Sequence, residues 1–351
     1  MKKLWNHIFI EGLGAMASGL FATLIIGTIL VQIGTFVGGT IGNVIVLIGK
    51  VASSLTGAGI GVAVATKYGA SVLVTVSAAS AGMVGAFAGK LMAGTVFVKG
   101  AMIYAGPGEP LGAFIAALVG IELGKIVSGK TKLDILVTPI VTIGSGATVG
   151  LILGPPISAF MAWLGSIINW GTEQQPLIMG IVVSVLMGMI LTLPISSAAL
   201  GVILNLSGLA AGAATVGCCC NMVGFAVASY RENKFGGLLA QGIGTSMLQV
   251  PNIMKKPVIW LPAIISSAIL GPIGTMVLKM TNNATGSGMG TSGLVGQIMT
   301  YQDMTAKASG GVVMFKIFII QVILPAILAL IISEFMRKKG WIKNGDMKLE
   351  V

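Results

Sequence analysis

Five apolar stretches dominate the chain: residues 8–33, 70–89, 110–124, 176–204 and 311–333. Crossing about 30 Å of hydrocarbon takes roughly 20 apolar residues in a helix, and several of these runs reach that length. Lipid offers the backbone no water, so a crossing segment must bond its own N–H and C=O groups as a helix or join a closed barrel. Barrel strands alternate apolar and polar residues; Leu20 to Val31 does not. Since 55% of residues are hydrophobic and 9% charged, the sequence predicts an all-α polytopic membrane protein. About 8–10 transmembrane helices with one or two re-entrant hairpins are expected.

Polar stretches are short, so one membrane-embedded domain is expected over residues 1–336, with a short basic cytoplasmic tail over 337–351. The apolar run beginning at Ile8 exceeds the roughly 7–15 residues of a signal-peptide core, so it is read as the first span. The net charge of +11 does not point to nucleic acid. Lys2 and Lys3, Lys125, Lys130 and Lys132, Arg231 and Lys234, Lys255 and Lys256, and Arg337 to Lys348 all flank apolar runs. That is the pattern of cytoplasmic loops, and it predicts both termini inside the cell and contact with anionic membrane lipid. Cys218, Cys219 and Cys220 are consecutive and fit neither a disulfide framework nor a tetrahedral metal site; small packing residues are the expected role.

Glycine occupies 52 of 351 positions, and pairs spaced by four recur, among them Gly34/Gly38/Gly42, Gly85/Gly89 and Gly208/Gly212. Helices in lipid gain little hydrophobic energy by meeting, so small residues that let backbones approach favour association. Gly106-Pro107-Gly108-Glu109-Pro110 and Gly154-Pro155-Pro156 interrupt apolar sequence, and residues 282–296 are small, polar and flexible. Irregular backbone at membrane depth survives where it is buried or lines a cavity, which is how transporters build substrate sites. Leu193 to Gly201 also echoes Leu261 to Gly271, a faint sign of an internal repeat.

Acidic residues number 10, so each can be weighed. Glu109 lies between glycines and prolines where a helix should break, and an ionised carboxylate in the bilayer costs at least roughly 2.5–3.5 kcal/mol. Retention for binding is the favoured reading; a carboxylate there suits a sugar hydroxyl pair, a cation or a proton relay. Glu122 sits in a helical run with Lys125 at i+3, an intrahelical pair that would neutralise it. Lys50 and Lys99 are the lysines best placed for a cavity role, against the alternative of snorkelling to the interface. His7 is the single histidine and is expected at the interface. No Walker loop, zinc-protease motif or Ser-His-Asp set is found, so no catalytic residue, metal or cofactor is expected.

The segments Gly106 to Pro110, Gly154 to Phe160, Gly208 to Asn221 and Gly237 to Pro251 resemble the membrane (EIIC) subunits of bacterial phosphotransferase-system sugar transporters. The stand-alone subfamily related to the membrane regulator of perfringolysin production is the nearer likeness. The resemblance implies a transporter domain with about ten spans, re-entrant hairpins, a homodimer and a deep sugar site in a bacterial plasma membrane. It also implies that Glu109 contacts the sugar, because Gly106 and Glu109-Pro110 match the family's Gly-x-x-Glu-Pro segment. That segment usually lies late in the family's chains, and a histidine commonly assists it; His7 is no equivalent. Phosphoryl transfer would require separate IIA and IIB partners.

The combined expectation is a sugar-type carrier that contacts its substrate through Glu109, Gly108, Pro110, Asn282, Asn283, Ser287 and Glu122 at a midplane cavity. A transport-inactive membrane sensor that regulates gene expression, and a secondary transporter for an ion or metabolite, are the alternative readings.

Overall fold

The computed structural model describes residues 2–98, 101–104, 106–306 and 308–349; Lys99 lies outside them. The chain divides into two units, Met1–Ala162 and Trp163–Val351, and helices dominate both.

In the first unit, α1 (Lys3–Val37) contains π-helical turns at Asn6–Gly12 and Phe21–Ile25. It reverses at Gly38 and Gly39, with φ of 65° and 60°, into α2 (Gly39–Ser54), which meets α3 (Thr56–Lys67) at a bend of 55°. The glycine spacing works here as expected: a Cβ on Gly34 would stand 2.6 Å from the Gly42 carbonyl oxygen. Outward-facing side chains such as Phe36 and Ile41 are 76% and 71% exposed, a surface suited to lipid. There follow α4 (Val72–Ala86), capped by the Ser71 hydroxyl, and α5 (Ala88–Met92). A two-residue antiparallel pair, β1 (Phe97–Val98) and β2 (Ala101–Met102), then leads to α6 (Pro110–Val127). The unit boundary falls within α7 (Asp134–Thr172).

The second unit holds α8 (Pro176–Thr192), α9 (Ser197–Ile203), α10 (Gly208–Ala228) and α11 (Tyr230–Leu239). After them come α12 (Val250–Lys255), α13 (Pro257–Val277), α14 (Ala284–Ser287), α15 (Val295–Thr305) and α16 (Gly310–Lys338). Helix α10 is the core: Gly217 packs directly on the Ser184 carbonyl of α8, and Cys218, Cys219 and Cys220 are wholly buried among neighbours. The two echoing segments differ in structure. Leu193 to Gly201 breaks before α9, whereas Leu261 to Gly271 runs inside α13, so shared apolar composition accounts for the likeness.

Among the described residues six helices are long and apolar enough to span a membrane, and the α2–α3 pair supplies a seventh if counted as one span. Helices α4 and α8 are shorter and also apolar. The chain is an all-α polytopic membrane protein.

Candidate functional site

Glu109 occupies the break foreseen for it. Gly106 and Gly108 take left-handed φ values of 81° and 73°, a region glycine enters without the Cβ penalty. At Gly108 a Cβ would also stand 2.8 Å from the Ala86 carbonyl oxygen. The turn brings the Glu109 N–H to that same oxygen at 2.7 Å. Glu109 is extended (φ −99°, ψ 112°) and forms the N-cap of α6, with Pro110 as the first helical residue. Proline suits that position because its missing N–H would have been an orphan donor there. The partly buried carboxylate therefore sits at the positive end of an 18-residue helix, where a negative charge is favoured.

Aromatic groups adjoin this turn. Phe87 separates α4 from α5 with a non-helical backbone (φ −112°, ψ 12°). Its ring packs on Tyr104 with centroids 4.8 Å apart, and Lys90 Nζ lies 5.7 Å from the Phe87 centroid.

Glu122 is elsewhere. It lies thirteen residues further along α6, roughly 20 Å at 1.5 Å per residue, so the two glutamates do not share a site. His7 Nε2 is 2.9 Å from the Glu122 carboxylate and His7 Nδ1 is 3.3 Å from Glu11. The imidazole stacks on Tyr68 at 3.9 Å, and the Tyr68 hydroxyl donates to the His7 carbonyl at 2.7 Å. Lys125 does not pair with Glu122; its ammonium donates to the Tyr68 carbonyl at 2.8 Å. This cluster fastens the start of α1 to the ends of α3 and α6.

Asn282, Asn283 and Ser287 lie together in the second unit. The buried Asn282 amide donates to Thr215 Oγ1 (2.8 Å), Thr300 Oγ1 (3.0 Å) and the Gly296 carbonyl (3.1 Å), and its oxygen accepts from the Asn283 N–H. Asn283 caps α14 through Gly286 N–H, and the Ser287 hydroxyl donates to the Ala284 carbonyl at 2.9 Å. Gln321 and Gln297 extend the network from Thr300 towards Cys219.

A sequence model described as "Phosphotransferase system, EIIC" matches residues 10–349. The chain belongs to the phosphotransferase-system EIIC family. It is thus a multi-pass membrane protein of the sugar-permease type. No curated protein gives a significant match.

Sequence reasoning missed a second polar centre in this EIIC chain. Asn221 on α10 is fully buried; its oxygen accepts from Trp260 Nε1 (2.8 Å) and Thr192 Oγ1 (3.1 Å), and its amide donates to Ser267 Oγ (3.3 Å). A lone Asn in an apolar helix was the available signal, since a buried amide needs partners.

Proposed function

We propose that this EIIC chain carries a sugar whose hydroxyls are received by the Glu109 carboxylate, with Gly108 and Pro110 shaping the turn around it. The observation that carries the reading is the placement of a carboxylate at the N-terminus of α6, on a turn whose backbone bonds to Ala86, the residue before the Phe87 ring that packs on Tyr104. A carboxylate accepts two hydroxyl protons in charge-assisted bonds, and aromatic faces cover a sugar's C–H surface. Depth supports it as well. Helices α4 and α6 are tied at their polar ends by Ser71 and Ser128 (2.8 Å). From there α4 rises about 22 Å and α6 about 24 Å from Lys125 to Glu109. Both lengths are at or below roughly 30 Å of hydrocarbon, which favours a Glu109 that is reached from within the membrane layer and a re-entrant reading of the described residues before it.

In this reading Asn282, Asn283 and Ser287 hold a polar loop in shape, because their side chains bond within their own unit. Glu122 anchors α1 through His7. A homodimer, cytoplasmic termini and separate IIA and IIB partners complete the account. Calorimetric titration of purified protein with a panel of sugars tests the site. Binding of at least one sugar should be abolished by Glu109→Gln and kept by Glu122→Gln. Equal binding by both variants refutes the assignment, and no binding by folded protein favours the sensor or a non-sugar substrate.

A further inference from the structure

The hairpin of α1 and α2 carries one triplet pattern four times. Ile26-Gly27-Thr28 and Ile33-Gly34-Thr35 lie on α1; Ile41-Gly42-Asn43 and Ile48-Gly49-Lys50 lie on α2. The four glycines are the only buried residues between Ile26 and Ser54, and they form the seam. A Cβ on Gly34 or on Gly27 would stand 2.6 Å from the carbonyl oxygen of Gly42 or Gly49, respectively.

A helix turns by about 100° per residue. Because α1 and α2 run antiparallel, the residue after a seam glycine points to the same side of the hairpin on both helices. Thr28, Thr35, Asn43 and Lys50 therefore share one side, and the four isoleucines share the other. Those isoleucines are 38% to 71% exposed, and nothing polar interrupts them, as suits lipid.

The polar side does not suit lipid. Asn43 and Lys50 are exposed, and Gln32, one turn beyond Thr28, is partly buried; none of the three side chains bonds to a described residue. Lys50 stands about 16 Å along α2 from the turn at Gly39, within a helix pair apolar enough to span a membrane. Polar groups left without partners at that depth are costly. The hydroxyls of Thr28 and Thr35 already donate to the carbonyls of Leu24 and Val31, both at 2.8 Å, so they can only accept. On this side α1 offers acceptors and α2 offers donors.

We propose that this face is covered by the same face of a second copy of the chain. Gly27 meets Gly49 and Gly34 meets Gly42, so Thr28 is level with Lys50 and Thr35 with Asn43. A two-fold axis along the hairpin keeps those levels and sets each α1 against the other copy's α2. Lys50 of the partner subunit then faces Thr28 and Gln32, and Asn43 of the partner subunit faces Thr35. The two Lys50 charges come from helices on opposite sides of the axis, separated by roughly the 8–10 Å between packed helices. Side-chain hydrogen bonds between helices favour association in membranes, and a lipid tail supplies none. This surface rests on the homodimer of the sugar-carrier reading, but not on the contact at Glu109.

Sedimentation equilibrium of the full chain in density-matched detergent tests it. Gln32→Leu/Asn43→Leu/Lys50→Leu should raise the dimer dissociation constant at least about tenfold. Ile33→Ala/Ile41→Ala/Ile48→Ala, on the opposite side, should leave it near the wild-type value. An unchanged constant in the polar-side variant, or equal weakening in both variants, would overturn this surface and leave the homodimer to another one. A wild type that stays monomeric at every concentration would overturn both. If the polar-side variant fails to fold, two differently tagged and co-expressed proteins, Thr35→Cys and Asn43→Cys, give the answer by disulfide formation with a mild oxidant. The native Cys218, Cys219 and Cys220 are wholly buried. The two tags should become linked, whereas Ile33→Cys with Ile41→Cys should not link them; no linkage in the first pair, or equal linkage in both, would overturn the proposal.

Discussion

The Arg337 guanidinium and the Glu232 carboxylate meet at 2.9 Å with side chains only 9% and 2% exposed. The same guanidinium donates to the Ala228 carbonyl at 3.0 Å, and Glu232 accepts from the Gly345 N–H at 3.3 Å. Removing one partner of a buried pair strands the other charge, at roughly 3–5 kcal/mol. Glu232→Gln should therefore lower stability by that order in detergent unfolding. Arg231 and Glu334 also meet at 2.9 Å, but with side chains 65% and 30% exposed; Glu334→Gln should cost less than about 1 kcal/mol. Equal losses from the two substitutions would mean that burial does not set the difference.

Asp346 makes the segment after α16 sensitive to acid. Burial alone would raise its carboxyl, but hydrogen bonds from Lys256 and the Lys343 N–H, with the charges of both lysines, hold it below the usual carboxylate range. A folded-state value below the unfolded one, about 3.9, stabilises fully above that pH. The contribution fades as pH falls through the folded value. The Trp341 emission, taken as the difference between wild type and Trp341→Phe, should shift on acidification below about pH 4. In Asp346→Asn that step should be absent; an unchanged step would assign it to another group.

Gly217 leaves no room for a side chain, because its neighbour is the Ser184 backbone itself. Backbone cannot yield as a flexible side chain can, and overpacking a tight contact costs about 1–3 kcal/mol or more. Gly217→Ala should melt markedly lower than wild type. Gly236→Ala, with open space around it, should not. A stable Gly217→Ala would show that α8 and α10 can separate freely.

The buried Asn221 amide is argued to pin α8, α10 and α13 together. Asn221→Leu would strand Trp260 Nε1, and an unsatisfied buried polar group costs about 1–3 kcal/mol. Lower stability with altered tryptophan emission is expected. Wild-type behaviour on both counts would reduce the network to a bystander.

Much of this architecture was legible in residue order. Long apolar runs gave the class, and Gly106, Pro107 and Gly108 announced the break that presents Glu109. The small-residue pairs anticipated close helix contacts such as Gly34 with Gly42. What stayed hidden depends on residues far apart in sequence. Glu122 had Lys125 as its obvious partner, yet His7, 115 positions away, takes that role while Lys125 turns to a backbone carbonyl. Residues 235–256 carry several polar side chains. Their Gln241, Gln249 and Asn252 are buried, and Gln249 and Asn252 bond the backbone of residues 347 and 348. Apolar helices carry little periodic signal when lipid and protein both accept the same side chains, so such pairings cannot be read from pattern.

The central claim is that Glu109 receives the substrate of a sugar carrier, and uptake into proteoliposomes tests it most directly. Purified wild type and Glu109→Gln would be supplied with a panel of labelled sugars, with folding of both checked by thermal unfolding. The account predicts saturable uptake of at least one sugar by wild type and a loss of at least about tenfold in the variant, the scale of one charge-assisted hydrogen bond. Equal uptake by the two proteins would contradict it.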